Sequence, residues 1–254
     1  ALALHYLLTD MPAGVDPLGP ENILVIALSV VTGAPISGQS RMTAAAKSPL
    51  TGAIGDSQGG GFFPAELKFA GFDALVIRGK AEKPVYLWIN EGKFELRDAS
   101  HLWGKITGEA EAALKAELGD NKIEVLQIGP AGEKGVRFAG IFSMSNRANG
   151  RTGMGAVMGS KNLKAVVVRG KQRPKPADKA GLSTLAKWGA KNFPESDITG
   201  LGQYGTAETT GANQVSGTLP TYNYNSGVFD GWEPIDGTTM YDTILRGAAE
   251  GKQD

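Results

Sequence analysis

Two glycine-rich segments with the same sequel set the tightest limit on this fold: Gly55-Asp56-Ser57-Gln58-Gly59-Gly60-Gly61 and Arg147-Ala148-Asn149-Gly150-Arg151-Thr152-Gly153-Met154-Gly155. Each leads into a short apolar stretch and then a β-branched run closing on Arg-Gly-Lys, at Arg78-Gly79-Lys80 and at Arg169-Gly170-Lys171. The layout reads as a duplicated unit. Glycine lets a backbone approach a ligand closely, and amides at a helix start suit phosphate, so the pair implies one ligand, or two, carrying two anionic groups. The alternative is a pair of tight turns in a glycine-rich sheet. Neither segment has P-loop spacing, and Gly153 to Gly159 is one residue too long for the dinucleotide fingerprint.

Phosphate recognition also needs cations. Arg41 and Lys47 precede the first segment, and Arg147, Arg151 and Lys161 surround the second. The carboxylates near glycine-rich or apolar stretches, Glu21, Asp56, Glu66 and Asp73, form no acid-base pair, and Ser48, Thr51 and Ser57 have no histidine at a suggestive spacing. Cys 0 excludes disulfides, thiol nucleophiles and any thiolate-held cluster or zinc within these residues. Only His5 and His101 remain, and His101 reads as a surface histidine at a turn. A metal working here must be held mostly by something other than side-chain sulfur or imidazole.

Lys+Arg 26 against Asp+Glu 26 leaves a formal charge of +0, so there is no basic field for a nucleic acid backbone. No apolar run approaches the roughly 18 residues of a membrane span, and the start lacks a signal-peptide pattern, so a cytoplasmic protein is expected.

The chain opens inside an apolar helix over residues 1–8, as though residues preceded it. Strands are expected over 23–31 and 41–46, a helix over 64–70 ending at Gly71, and a hairpin-like pair over 74–78 and 85–90 continuing into 93–97. Thr107 is the expected N-cap of a helix over 108–118. Strands over 122–128 and 136–142 flank Gly129-Pro130-Ala131-Gly132, and a strand over 164–169 follows the second glycine segment. Pro174-Lys175-Pro176 marks a linker, with helices near 181–191 and 239–250 beyond it. A boundary is placed near residue 172.

Several stretches resemble the amino-terminal domain of the aldehyde ferredoxin oxidoreductase family, the tungsten or molybdenum bis-pyranopterin enzymes. They are Lys47-Ser48-Pro49-Leu50-Thr51-Gly52, Glu66-Leu67-Lys68-Phe69-Ala70-Gly71, Arg97-Asp98-Ala99-Ser100-His101-Leu102-Trp103-Gly104 and the run from Gly155 to Ala165. The resemblance is dense from Leu2 to Lys171. It implies an α+β fold of two similar mixed or antiparallel β-sheets with short helices, forming a pterin-binding base over 1–172. Residues 173–254 would be a linker and the beginning of a mainly helical domain, cut before the iron-sulfur cysteines.

By that resemblance, Arg41, Gln58, Gly59, Gly60, Arg147, Ala148, Gly150, Arg151, Gly153 and Gly155 bind the cofactor, and main-chain carbonyls of Gln58 and Ala148 hold a magnesium ion. Relatives often have asparagine at Gln58, a change that a carbonyl ligand tolerates. The implied activity is oxidation of an aldehyde to its acid, with electrons passing through a four-iron four-sulfur cluster, not held by this chain, to ferredoxin or another electron-transfer subunit. A homo-oligomer is allowed, the catalytic residues are expected outside this chain, and the fragment alone should be inactive. The competing readings are a branch of the family with another substrate, of the aromatic-ring reductase type, and a non-catalytic pterin- or phosphate-binding module.

Overall fold

The computed structural model describes residues 2–197 and 199–244. They fall into two compact units, Ala1–Ser183 and Thr184–Asp254. In the first, helix α1 (Leu2–Asp10) precedes strands β1 (Leu24–Leu28), β2 (Met42–Lys47) and β3 (Ile54–Gly59), helix α2 (Phe63–Phe69) and strand β4 (Ala74–Ile77). Then come β5 (Val85–Asn90), β6 (Lys93–Asp98), α3 (Thr107–Leu118), β7 (Glu124–Gln127), the turn α4 (Pro130–Glu133), β8 (Ile141–Ser143), β9 (Arg147–Asn149), α5 (Met154–Ser160) and β10 (Leu163–Arg169).

The strands make a four-stranded sheet ordered β3-β2-β1-β4 and a six-stranded sheet ordered β6-β5-β10-β7-β8-β9. The first is antiparallel throughout; in the second only β5 and β10 run parallel. Both sheets therefore contain the same four-strand unit, since β3-β2-β1-β4 recurs as β9-β8-β7-β10 with α2 and α5 as equivalent crossovers. The register agrees in detail. Gln58 pairs with Thr43, Thr43 with Ala27 and Ala27 with Ala74. Ala148 pairs with Phe142, Phe142 with Gln127 and Gln127 with Ala165. Ala74 and Ala165 each stand four residues before the arginine of Arg-Gly-Lys, so the duplication legible in the sequence is a duplication of strand columns.

Alternation explains the long apolar runs. Leu24 and Ile26 of β1, like Val166 and Val168 of β10, enter a core shared by both sheets with Phe63 and Leu67 of α2 and Met154, Val157 and Met158 of α5. Their neighbours Val25 and Ala27 turn to α1, packing with Ala3 and Leu7, while Ala165 and Val167 turn to α3, packing with Leu114. Strands covered on both faces must be apolar at every position, which hides the two-residue period from the sequence.

Several expectations are corrected. Residues 55–59 are not a loop but the edge strand β3, with alternating burial, because Ser57 and the glycines at 55 and 59 face the second sheet. Strands β4 and β5 are not a hairpin; they lie in different sheets, and the tight hairpin is β5-β6, whose Glu91 and Gly92 both have positive φ (48° and 81°). Thr107 is the first residue of α3 and not its cap; extended Ile106 holds that place without a side-chain bond. β1 stops at Leu28, where Ser29 N–H donates to Thr32 Oγ1, leaving Val30 92% exposed. Of the strand expected over 136–142, only residues 141 and 142 are extended, as the start of β8 (Ile141–Ser143).

One half-buried carboxyl gives a pH test. Burial, then Glu111 and Glu66, push Glu124 on β7 up to about 7, against a smaller opposing effect of Lys115. Between the ordinary carboxylate value and about 7, folded protein keeps a proton that the unfolded chain has released, so stability present at lower pH is lost as pH rises through 7. Glu124→Gln is expected to stabilise the protein by about 1–3 kcal/mol at pH 8 and by little at pH 4.5, in denaturant melts. An equal effect at both pH values would contradict this reading.

After β10 comes α6 (Lys179–Asn192), which buries no residue, and the second unit holds the short helices α7 (Thr199–Tyr204), α8 (Thr209–Val215) and α9 (Gly237–Thr239). Asp236 caps α9 by accepting from Thr238 N–H at 2.7 Å. Met240–Ile244 continues as a π-helical turn; the rest of the helix expected near 239–250 lies outside the described residues. No helix among the described residues is long and apolar enough to cross a membrane.

Candidate functional site

The equivalent edge strands β3 and β9 meet at a seam between the sheets. Asn149 Nδ2 donates to the Ser57 carbonyl at 2.7 Å, Arg151 N–H to Ser57 Oγ at 3.0 Å, and Thr152 Oγ1 to the Asp56 carbonyl at 3.1 Å. Ser48 Oγ donates to the Thr152 carbonyl at 2.8 Å, and Ser143 Oγ to that of Gly60 at 3.2 Å. Thr152 sits at φ 62°, a left-handed conformation that a β-branched residue takes only under constraint. Its bonds to Asp56 of β3 and to Ser48, just beyond β2, supply that constraint, and backbone held this way concentrates at working sites.

Around the seam lie the exposed residues Arg41, Gln58, Arg147, Ala148, Gly150 and Arg151, with Gly60 half-buried among them. Arg41 immediately precedes Met42, the partner of Gly59, and the Arg147 stem packs where a Cβ on Gly61 would fall. The side chains of Arg41, Arg147 and Arg151 make no ion pair or hydrogen bond among the described residues. Gln58 and Arg41 also border a cleft with Thr43, Ala27 and Leu2, beside α1.

The glycines separate into two kinds. At Gly61, with φ 95°, left-handed backbone demands glycine, and Met144 Sδ lies 2.9 Å from the position of an added Cβ. Gly153 and Gly155 are buried against the 137–140 segment, and the Gly155 amide is committed to the Ala139 carbonyl at 2.8 Å. Gly60 and Gly150 differ. A Cβ there would meet nothing nearer than 3.4 Å and 3.8 Å, and neither has positive φ, so internal packing does not require glycine at either position. In the duplicated register Gly60 and Gly150 are equivalent, each two residues beyond Gln58 and Ala148.

Other expected cations serve the fold. Lys47 Nζ donates to the Val15 carbonyl at 2.7 Å. Lys161 is buried, donating to the carbonyls of Asn22 and Gly79, and burial lowers its pKa to about 8. Glu66 binds Arg169 at 2.7 Å, and half-exposed His101 bonds Glu117 at 3.0 Å. Among the described residues no group of three or more His, Cys, Asp or Glu could hold a metal ion. The donor set here suits an anionic organic group. The sequence reading missed Asn149, Ser57, Thr152 and Ser48 as seam residues; alignment on the two Arg-Gly-Lys tripeptides sets Asn149 against Gln58, one residue out of the strand register that makes it equivalent to Gly59.

Fold and seam define a duplicated α+β domain whose two halves meet edge to edge, with the exposed Arg41, Arg147 and Arg151 beside the edge strands. The chain belongs to the family described as aldehyde ferredoxin oxidoreductase, N-terminal domain, which matches residues 1–170. It is 46% identical over 231 residues to a tungsten-containing aldehyde ferredoxin oxidoreductase of Thermococcus kodakarensis, covering 90% of this chain and 38% of that protein. The similarity to the enzyme of the same name from Pyrococcus abyssi is 46% over 229 residues, covering 89% and 38%. The WOR-like subunit of an aliphatic sulfonate oxidoreductase from Pyrococcus furiosus is 39% identical over 186 residues, covering 68% and 30%. Among solved structures, the active site complex BamBC of benzoyl coenzyme A reductase with 1,5-dienoyl-CoA matches with TM-score 0.74 and 39% identity, over 76% of this chain and 30% of that one. The chain thus spans under two fifths of the length of the tungsten enzymes it matches, all of them named oxidoreductases.

Proposed function

We propose that this chain is the cofactor-binding portion of a tungsten, or molybdenum, bis-pyranopterin oxidoreductase that oxidises aldehydes to carboxylic acids. Residues 1–172 act as the base, and 173–254 begin the helical part. Electrons leave through a four-iron four-sulfur cluster held by other residues, to ferredoxin or another electron-transfer subunit, in the cytoplasm. The observation that carries the reading is the pair of equivalent glycines, Gly60 and Gly150, whose absent side chains no internal contact explains. Glycine at such a place leaves room for a ligand against the backbone. That the two are equivalent in the duplicated register supports a ligand with two like halves.

The residues fit that group. Arg41, Arg147 and Arg151, without a side-chain partner among the described residues, would hold its anionic ends through charge-assisted hydrogen bonds. The carbonyls of Gln58 and Ala148, a hard oxygen donor set, would hold magnesium, which prefers oxygen ligands and keeps several waters. Gly59, Gly153 and Gly155 would shape the backbone from behind. When bound, the cofactor supplies the redox centre, its own sulfurs holding tungsten or molybdenum. The chain's residues anchor and orient it.

A second substrate class has a specific observation in its favour: the likeness to the benzoyl coenzyme A reductase complex. Higher identity over more of the chain favours the aldehyde enzymes. The natively expressed polypeptide containing these residues is expected to carry about one tungsten or molybdenum and about four irons per chain, and to reduce a viologen dye with aldehydes. Metal without aldehyde turnover, but with turnover of aromatic acyl thioesters, would move the assignment to the ring-reductase branch. Absence of both tungsten and molybdenum would sink the cofactor reading.

A further inference from the structure

The duplicated register makes Gly59 and Asn149 equivalent, yet one has no side chain and the other has a fully buried one. The two face each other across the seam. A Cβ built on Gly59 would lie 2.6 Å from Asn149 Oδ1 and 3.0 Å from its Cγ, so the Asn149 side chain fills the hole that Gly59 leaves. From that hole Nδ2 donates to the Ser57 carbonyl at 2.7 Å, while Oδ1 has no hydrogen-bond partner among the described residues. A buried acceptor without a donor is unfavourable, and an apolar plug would fill the space without that penalty. What an apolar plug lacks is the bond to Ser57.

Ser57 immediately precedes Gln58, and Asn149 immediately follows Ala148. The bond therefore ties together two backbone positions, each adjacent to one of the proposed magnesium-holding carbonyls. We propose that Asn149 is a positioning residue: it crosses the seam into the Gly59 hole and fixes the offset of β3 and β9, and thereby the spacing of the Gln58 and Ala148 carbonyls. This rests on the cofactor reading above for its second half, the spacing of the carbonyls. The interlock itself does not.

The test uses the natively expressed polypeptide and three variants: Gly59→Ala, Asn149→Gly, and both together. Thermal unfolding reads the interlock. Gly59→Ala should lower Tm by several degrees, roughly 5 °C or more, because its methyl meets Asn149. The double variant should regain most of that loss, since the methyl enters vacated space. Simply additive losses would overturn the interlock. Bound magnesium per chain reads the positioning. The double variant, folded again but without the Ser57 bond, should hold at least about fivefold less magnesium than wild type after equilibrium dialysis, as loss of outer-shell support does at metal sites. Wild-type magnesium content in that double variant would overturn the positioning role. Wild-type protein without tungsten, molybdenum or magnesium would instead reject the cofactor reading, leaving the Tm comparison to judge the interlock.

Discussion

Glu133→Ala is expected to lower the stability of the first unit by about 3–5 kcal/mol, the range for breaking a buried ion pair from one side. Lys164, with no exposed side-chain surface, donates to Glu133 Oε1 and to the Lys105 carbonyl at 2.9 Å. The other carboxylate oxygen of Glu133 accepts from Gly104 N–H at 2.7 Å. Removing the carboxylate strands both a buried ammonium and a backbone amide. At a few degrees per kcal/mol for a chain of this size, Tm should fall by roughly 6–20 °C. The paired replacement Glu133→Leu with Lys164→Met should recover much of the loss, because no charge is then left buried alone. A Glu133→Ala melt within about 1 °C of wild type would show that the pair is not what holds α4 to β10.

Gly159→Ala is expected to be nearly as damaging. Helix α5 presents Gly155 and Gly159, one turn apart, to backbone and not to side chains. A Cβ on Gly155 would overlap the Gly140 carbonyl oxygen and lie 2.7 Å from that of Ala139; one on Gly159 would overlap the Gly132 carbonyl oxygen and lie 2.6 Å from its carbon. Backbone cannot rotate aside as a flexible side chain can, so the cost should reach or exceed about 3 kcal/mol, the upper end for overpacking. Gly108→Ala in α3 is the internal comparison. Nothing lies within 4 Å of its added Cβ, so helix propensity alone acts, for a gain of up to about 1 kcal/mol. A Gly159→Ala variant as stable as wild type in denaturant melts would show that α5 does not approach α4 this closely.

These glycines show what was legible in the sequence and what was not. The duplicated layout was readable because it lies in local order, glycine segment, crossover, β-branched strand and Arg-Gly-Lys. The reason for each glycine was not. Gly60, Gly153 and Gly155 look alike in a string, but one is open while the others are pressed against residues 137–140. The edge strand β3 was read as a loop because Gly-Asp-Ser-Gln-Gly lacks every strand-forming residue type; its pairing with β2 and the seam beneath it override that composition. Strand β4 was assigned to the wrong partner because sequence neighbours usually pair, and here the chain changes sheets between Ile77 and Val85. Lys47 and Lys161 were expected as phosphate-binding cations, but each finds backbone carbonyls far away in sequence, a partnership that no local pattern announces.

The duplication is close but not perfect, and its imperfections gather at the seam. On one side stand Gln58 and Gly59 at the edge of four strands; on the other, Ala148 and Asn149 at the edge of six. Two identical molecules seated on these edges would occupy similar but unequal surroundings. The protein would thereby give any otherwise symmetric ligand seated there a left and a right.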